Sequence, residues 1–173
     1  MTCRDRIETY LQEQRVTYVT HHHTPAFTAQ GVAEHEHIPH RYMIKVVIVF
    51  ADGQMVMLAI PASERVDLAK VSALVAAHDV RLATEEELAS AFPDCKIGAM
   101  PPFGLLYDLP LYVDRALATD EVVFFQAGTH SVAMSLLFAD YKRLARPIIA
   151  DLTREYSRPA PLEHADVHEM GAW

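Results

Sequence analysis

Residues 43–50, Met-Ile-Lys-Val-Val-Ile-Val-Phe, followed by Ala51-Asp52-Gly53 and a second apolar run, Met55 to Ile60, decide the fold. The first run is β-branched and nearly all apolar, and Asp-Gly between two such runs is turn chemistry. Together they predict a β-hairpin, largely buried. Lys45 is the one charge inside its first strand. Upstream, Ile7, Tyr10 and Leu11 recur at i, i+3, i+4 and predict a short amphipathic helix over 3–15. Residues 16–21 alternate loosely, as a strand does. Thr28 is placed to cap a helix through Ala29, Val32 and Ala33, which Pro39 ends. Downstream, Leu68, Val71 and Val75 mark a helix within 67–78, and residues 80–83 a short strand. Thr84-Glu85-Glu86-Glu87 starts another helix with acids at its positive end. Residues 92–103 are loop-rich; strands follow over 109–114, 122–126 and 132–137, then a helix over 139–146. This irregular alternation predicts one α/β (mixed α+β) domain over 1–153, a mixed sheet with helices packed around it. Residues 154–173, with Pro159 and Pro161, read as a loosely held tail.

The composition fits one folded domain: 173 residues, 51% hydrophobic and 22% charged. Such a chain has enough apolar material to offset its entropy, which excludes wholesale disorder. No apolar run approaches ~18 residues, so no transmembrane helix is expected. Residues 1–6 lack the apolar core of a secretory signal. Two cysteines, Cys3 and Cys95, exclude a disulfide framework and make a reduced, cytoplasmic setting the expectation. A formal net charge of −8 argues against non-specific nucleic-acid binding. The 10 histidines would bring that charge near zero at about pH 6. Six of them fall between His21 and His40.

Several segments carry possible chemistry. In Gly98-Ala99-Met100-Pro101-Pro102-Phe103-Gly104, two glycines bracket two prolines. The prolines stiffen the loop, and the N–H groups of Gly98 to Met100 are left to point at an anion or oxyanion. The same composition also makes an ordinary structural turn. A lysine in an apolar strand must snorkel, pair, or face a polar cavity where it acts as a point charge; an outward-facing edge lysine is the plain alternative to a pocket role for Lys45. Ala127-Gly128-Thr129-His130 follows a strand and offers a histidine as general base or donor, or a structural one. Cys95 lies beside Lys96, but no partner histidine can be assigned, and inert cysteine is common. His35-x-His37 and the His21–His23 triplet lack a structural zinc spacing, and a solvated loop explains them. The mildly basic stretch from Lys142 to Arg158 reads as a solvated helix face.

Taken in order, Ile44-Lys45-Val46-Val47, the hairpin, Gly98–Gly104 and Ala127-Gly128-Thr129-His130 resemble the YbaK/prolyl-tRNA synthetase-associated domain family, the bacterial aminoacyl-tRNA editing domains. Thr28-Ala29-Gln30-Gly31-Val32-Ala33 is similar to that family's early helix start. The resemblance spans about residues 5–152. It implies a mixed, mostly antiparallel, barrel-like sheet surrounded by helices. It also implies a trans-acting deacylase that hydrolyses the ester joining a wrong amino acid to the 3′-terminal adenosine of a tRNA. Small amino acids of the alanine, cysteine or serine class are the implied targets. The family's lysine maps onto Lys45, its Gly-x-x-x-Pro loop onto Gly98 and Pro102, and its late histidine onto His130. The resemblance further implies that N–H groups of Gly98 and Ala99 stabilise the oxyanion, with Lys45 on the terminal phosphate or the carbonyl. Water or the ribose hydroxyl attacks, oriented by His130. Thr28, Met100, Pro101, Pro102, Phe103, Gly128 and Thr129 are then expected to bind substrate. No cofactor, metal or enzyme nucleophile is required, and no membrane is involved. The implied partners are the tRNA acceptor end and a prolyl-tRNA or other synthetase. Two features depart from the family: the acidic charge, and the histidine-rich segment with the tail.

Two other functions compete. A non-catalytic nucleotide- or aminoacyl-binding protein of the same fold would keep Lys45 and the loop but not turnover. A histidine-based metal or pH-responsive module would need neither.

Overall fold

The Asp52-Gly53 pair takes positive φ at both positions, 48° and 81°, the backbone of a two-residue hairpin turn. It joins the two longest strands of the protein. The structure is a computed structural model that describes residues 1–23, 29, 31, 33, 38 and 40–154. Its elements run α1 (Cys3–Glu13), β1 (Val19–His22), β2 (Ile44–Ala51), β3 (Gln54–Pro61), β4 (Arg65–Val66), α2 (Leu68–Val75) and β5 (Val80–Leu82). They continue with α3 (Glu85–Ala91), β6 (Leu111–Asp114), β7 (Val122–Gln126), β8 (Val132–Leu137), α4 (Phe138–Ala145), β9 (Ile148–Ala150) and β10 (Thr153–Arg154).

β2 and β3 pair antiparallel along their whole length, from Ile44↔Pro61 to Ala51↔Gln54. They form the centre of a five-stranded sheet of order β5-β2-β3-β6-β9. Its β3–β6 and β6–β9 pairings are parallel. A three-stranded antiparallel sheet, β1-β8-β7, lies beside it, and β10-β4 makes a two-stranded third. The mixed α/β domain expected from the sequence is thus observed, with its strands spread over three sheets. β7 meets the start of β2 through a single parallel bridge, Met43↔Phe124. Arg154, the last described residue, pairs with Arg65.

Alternation along β2 separates two cores. Ile44, Val46 and Ile48 face a large cluster with Ile7, Leu11, Phe103, Phe125 and Tyr141. Val47 and Val49 face a second, with Leu58, Ile60 and Val71. A third, small-residue cluster holds Ala29, Ala33, Met43, Ala62 and Ala133. The helices begin where the sequence places caps. Thr2 and Asp5 form a capping box on α1, Thr84 and Glu87 another on α3, and the Asp67 carboxylate accepts from Ala69 and Lys70 N–H. Among the described residues no helix is long and apolar enough to cross a membrane.

One expectation is overturned. Cys3 and Cys95 are joined in a disulfide, with Cα atoms 4.9 Å apart. The Tyr107 hydroxyl lies 3.1 Å from both sulfurs. The bond pins the start of α1 to the segment leading into Gly98, so the cysteines are not two reduced thiols.

Candidate active site

Lys45 is 9% exposed on β2 and pairs with Ile60. Strand alternation puts it on the face of Met43 and Val47, at the seam between the second and third clusters. It makes no ion pair or hydrogen bond among the described residues. Burial holds its pKa below the ordinary lysine value, and the charge of Arg65 lowers it further. A largely buried lysine with no counter-charge among the described residues is what a phosphate or polarised carbonyl would pair with.

The glycine–proline loop is rigid, as its composition predicts. Gly98 has φ of 81°. Pro101 and Pro102 are buried, and the Pro102 carbonyl accepts from the buried Tyr141 hydroxyl at 2.8 Å. The loop is zipped to the turn after β7: Gly128 N–H donates to Ala99 O at 2.7 Å, and Lys96 N–H to Gly128 O at 3.0 Å. Gly128 lies two residues beyond Gln126, the end of β7, and β7 touches β2 at Met43. Loop, turn and the lysine strand are thus joined through one element.

Several expected roles change at this resolution of detail. The Ala99 N–H donates to Lys96 O at 3.0 Å, so it is consumed in a turn and is not an oxyanion donor here. The N–H groups of Gly98 and Met100 have no acceptor among the described residues. Phe103 is fully buried and does not line a pocket: it packs edge-on against Tyr10, Phe125 and Tyr141. Met100 lies in the same core. Both backbone groups of Gly128 brace the loop, and its Cα faces the disulfide, so it is structural and not a substrate contact. Thr129 is half-buried and its hydroxyl accepts from Ser131 N–H. His130 is half-buried in the same turn, with Nδ1 turned away from solvent. Thr28 lies outside the described residues, as do His35 and His37.

The face that carries Lys45 holds further polar groups that sequence reasoning passed over. Phe124, opposite Met43, pairs with Ser135 on β8. The Ser135 hydroxyl is buried and sits 3.0 Å from His21 Nε2, and the His21 ring packs on Phe124. Gln126, on the same face of β7 as Phe124, is also buried. Polar residues at period two within apolar strands, Phe-x-Gln in β7 and Ala-x-Ser in β8, were the available signal. Two surface clefts lie elsewhere. One is lined by Tyr10, Leu105, Leu109 and Arg146. The other holds Glu64, Lys70, Asp114 and Asp151; Lys70 pairs with Asp151, and the Thr153 hydroxyl donates to Glu64. Among the described residues no three of His, Cys, Asp and Glu converge as metal ligands would.

Residues 23–144 match the model of a family described as the aminoacyl-tRNA editing domain. The chain belongs to that family. The editing domain is 34% identical over 127 residues to a proline–tRNA ligase of Acidithiobacillus ferrooxidans, covering 72% of this chain and 22% of the ligase. It is 30% identical over 104 residues to the multifunctional Ser/Thr-tRNA deacylase ProXp-y of Escherichia coli, covering 59% of this chain and 61% of that protein. The chain therefore spans about a fifth of the ligase and less than two thirds of the deacylase. The crystal structure of a proposed trans-editing enzyme for prolyl tRNA synthetase superposes with a TM-score of 0.75 at 23% identity, covering 89% of this chain and 98% of that one. The fold is thus shared with that structure.

Proposed function

We propose that the protein is a trans-acting aminoacyl-tRNA deacylase that clears a small amino acid, of the alanine, cysteine or serine class, from a mischarged tRNA. The observation that carries this reading is Lys45, a largely buried lysine with no ion pair or hydrogen bond among the described residues, in a chain of the editing-domain family. Water attacks the ester carbonyl carbon, either directly or after the neighbouring ribose hydroxyl has taken the acyl group from the 3′ oxygen as an isomeric ester that water then hydrolyses. Negative charge develops on the carbonyl oxygen, and the bond to the ribose 3′ oxygen breaks. In the water reaction, that oxygen takes up a proton and the amino acid leaves as its carboxylate. Lys45 supplies positive charge to the carbonyl oxygen or the terminal phosphate. Gly98 N–H is the loop donor for the oxyanion, a role whose removal typically costs ~10²–10³ in rate. His130 orients the attacking oxygen. The editing unit occupies 1–153, and its partner is the acceptor end of the tRNA, delivered by a synthetase such as the prolyl enzyme.

The test is a panel of mischarged tRNAs, including Ala-tRNA(Pro), Cys-tRNA(Pro) and Ser-tRNA, incubated with the protein and with Lys45→Ala. Release of one amino acid, reduced at least ~10²-fold in the variant, is expected. Binding without release from any tRNA would replace this reading with a non-catalytic binding protein.

A further inference from the structure

β7 ends on a residue that none of these roles uses. Gln126 is 4% exposed. Its Oε1 is sealed from solvent and has no hydrogen-bond partner among the described residues. An acceptor in that state is costly to the fold. Its persistence is accounted for if a ligand brings the donor.

The surroundings say which donor. Val123, Phe125 and Ala127 face the large core, whereas Phe124 packs against the small-residue cluster; Gln126 shares the face of Phe124. Phe124 is bridged in parallel to Met43. Two residues beyond that isolated bridge along the two strands lie Gln126 and Lys45, each on the same strand face as its bridged residue. Across β8, Gln126 pairs with Ala133, which adds no bulk there. An aminoacyl ester places its α-amine on the carbon next to the carbonyl. A group that receives the amine belongs beside the groups that serve the carbonyl, which is where Gln126 stands. Its neutrality also fits. A carboxylate in its place would compete for Lys45, which has no counter-charge among the described residues, whereas an amide oxygen accepts an N–H and leaves Lys45 available.

We propose that Gln126 binds the α-amino group of the aminoacyl ester, its Oε1 accepting an N–H from the amine. This rests on the deacylase reading above and assigns a binding residue to it. Because every aminoacyl ester carries that amine, Gln126 selects for an aminoacyl group as a class and not for one side chain.

Two uncleavable amide-linked analogues test this: 3′-alanylamino-3′-deoxyadenosine and its 3′-propionylamino counterpart, which lacks only the amine. Their binding to the wild type and to Gln126→Met is measured by calorimetry, with melting temperatures as the folding control. The wild type is expected to prefer the alanyl analogue by ~10-fold or more, the scale of one charge-assisted hydrogen bond. Gln126→Met should melt no lower and should bind the two equally. Equal binding of both analogues by the wild type, or a preference that survives in Gln126→Met, would overturn the assignment. So would an equal loss for both analogues in the variant. If the amine preference depends on Gln126 but no mischarged tRNA is hydrolysed, the deacylase reading falls and the amine site stands. Absence of binding to either analogue overturns both.

Discussion

A methionine at position 45 would suit the strand better than the lysine it has. Lys45 lies among Met43, Val47 and Ile60 with no counter-charge among the described residues, and a charge taken out of water without a partner costs stability. Burial and Arg65 both push its pKa below the ordinary 10.5. Below the folded pKa, Lys45 is charged in both states and the folded protein bears the cost. As pH rises from the folded pKa towards 10.5, the unfolded chain binds more protons than the folded one, so stability rises across that window. Lys45→Met should therefore raise stability at neutral pH by ~1–3 kcal/mol. At about 2–4 °C per kcal/mol, the melting temperature should rise by several degrees. The variant should also lose the alkaline rise in stability and abolish turnover. Thermal melts of both proteins from neutral to alkaline pH read this directly; a variant that melts lower than the wild type would show that Lys45 serves the fold. Gln126 obeys the same logic, since its buried, unpaired oxygen also burdens the fold. Two neighbouring residues that each oppose stability are expected at a functional site.

The turn after β7 illustrates how an element positions the loop without touching a substrate. Gly128 has φ of 86°, and a Cβ there would lie 2.8 Å from Cys3 Cβ, 2.9 Å from Cys3 Sγ and 3.0 Å from Arg4 N. The obstacles are a crosslinked residue and backbone, which cannot swing aside. Gly128→Ala should cost ~2–4 kcal/mol, from left-handed backbone strain and overpacking together. Because Gly128 holds Ala99 O and Lys96 N–H, turnover should fall as well. Denaturant unfolding and deacylation measured on the same sample check this, and an unchanged midpoint would refute it. This element also shows what was legible in the sequence. Long periodic or capped segments were: the hairpin from its apolar runs and Asp52-Gly53, α1 from Ile7, Tyr10 and Leu11, α3 from Thr84 and Glu87. The β4–β10 pair and β9 were not, because two or three residues carry little periodicity and these lie outside any apolar β-branched run set off by turns, whereas the equally short β5 was marked by its flanks. Lys45 was legible as a charge in an apolar strand. Gln126 and the His21–Ser135 pair were marked only as polar residues in apolar strands, because what surrounds them comes from the β1–β8 pairing and the Met43–Phe124 bridge, both remote in sequence. Phe103 misled because its neighbours in the loop are polar-site chemistry, whereas its partners Tyr10, Phe125 and Tyr141 are remote in sequence.

At the scale of the whole molecule, one crosslink changes the energetics more than any packing contact. Cys3 and Cys95 are 92 residues apart in sequence, too far for spacing to reveal their pairing. Their bond closes a loop that takes in α1, β1 to β5, α2 and α3. In the chain-entropy view, a loop of this length removes conformations from the unfolded state worth about 4 kcal/mol. For a chain of 173 residues that corresponds to roughly 10 °C in melting temperature. Reductant should therefore lower the melting point by about that amount in the wild type and leave Cys3→Ala/Cys95→Ala unaffected. The two should melt together once the wild type is reduced. The bond also ties α1 to the Asp94–Lys96 segment, where Cys3 N–H donates to Asp94 O and Arg6 pairs with Asp94 at 2.8 Å. Those contacts remain after reduction, so α1 should stay docked and far-ultraviolet dichroism below the transition should not change. Turnover should survive as well, because Gly128 N–H to Ala99 O holds the loop independently of the sulfurs. A wild type with two titratable thiols before reductant and no shift after it would remove the crosslink from the account. A shift accompanied by lost turnover at temperatures where the reduced protein is still folded would instead make the crosslink a condition of activity, and oxidation state would then set whether the enzyme works.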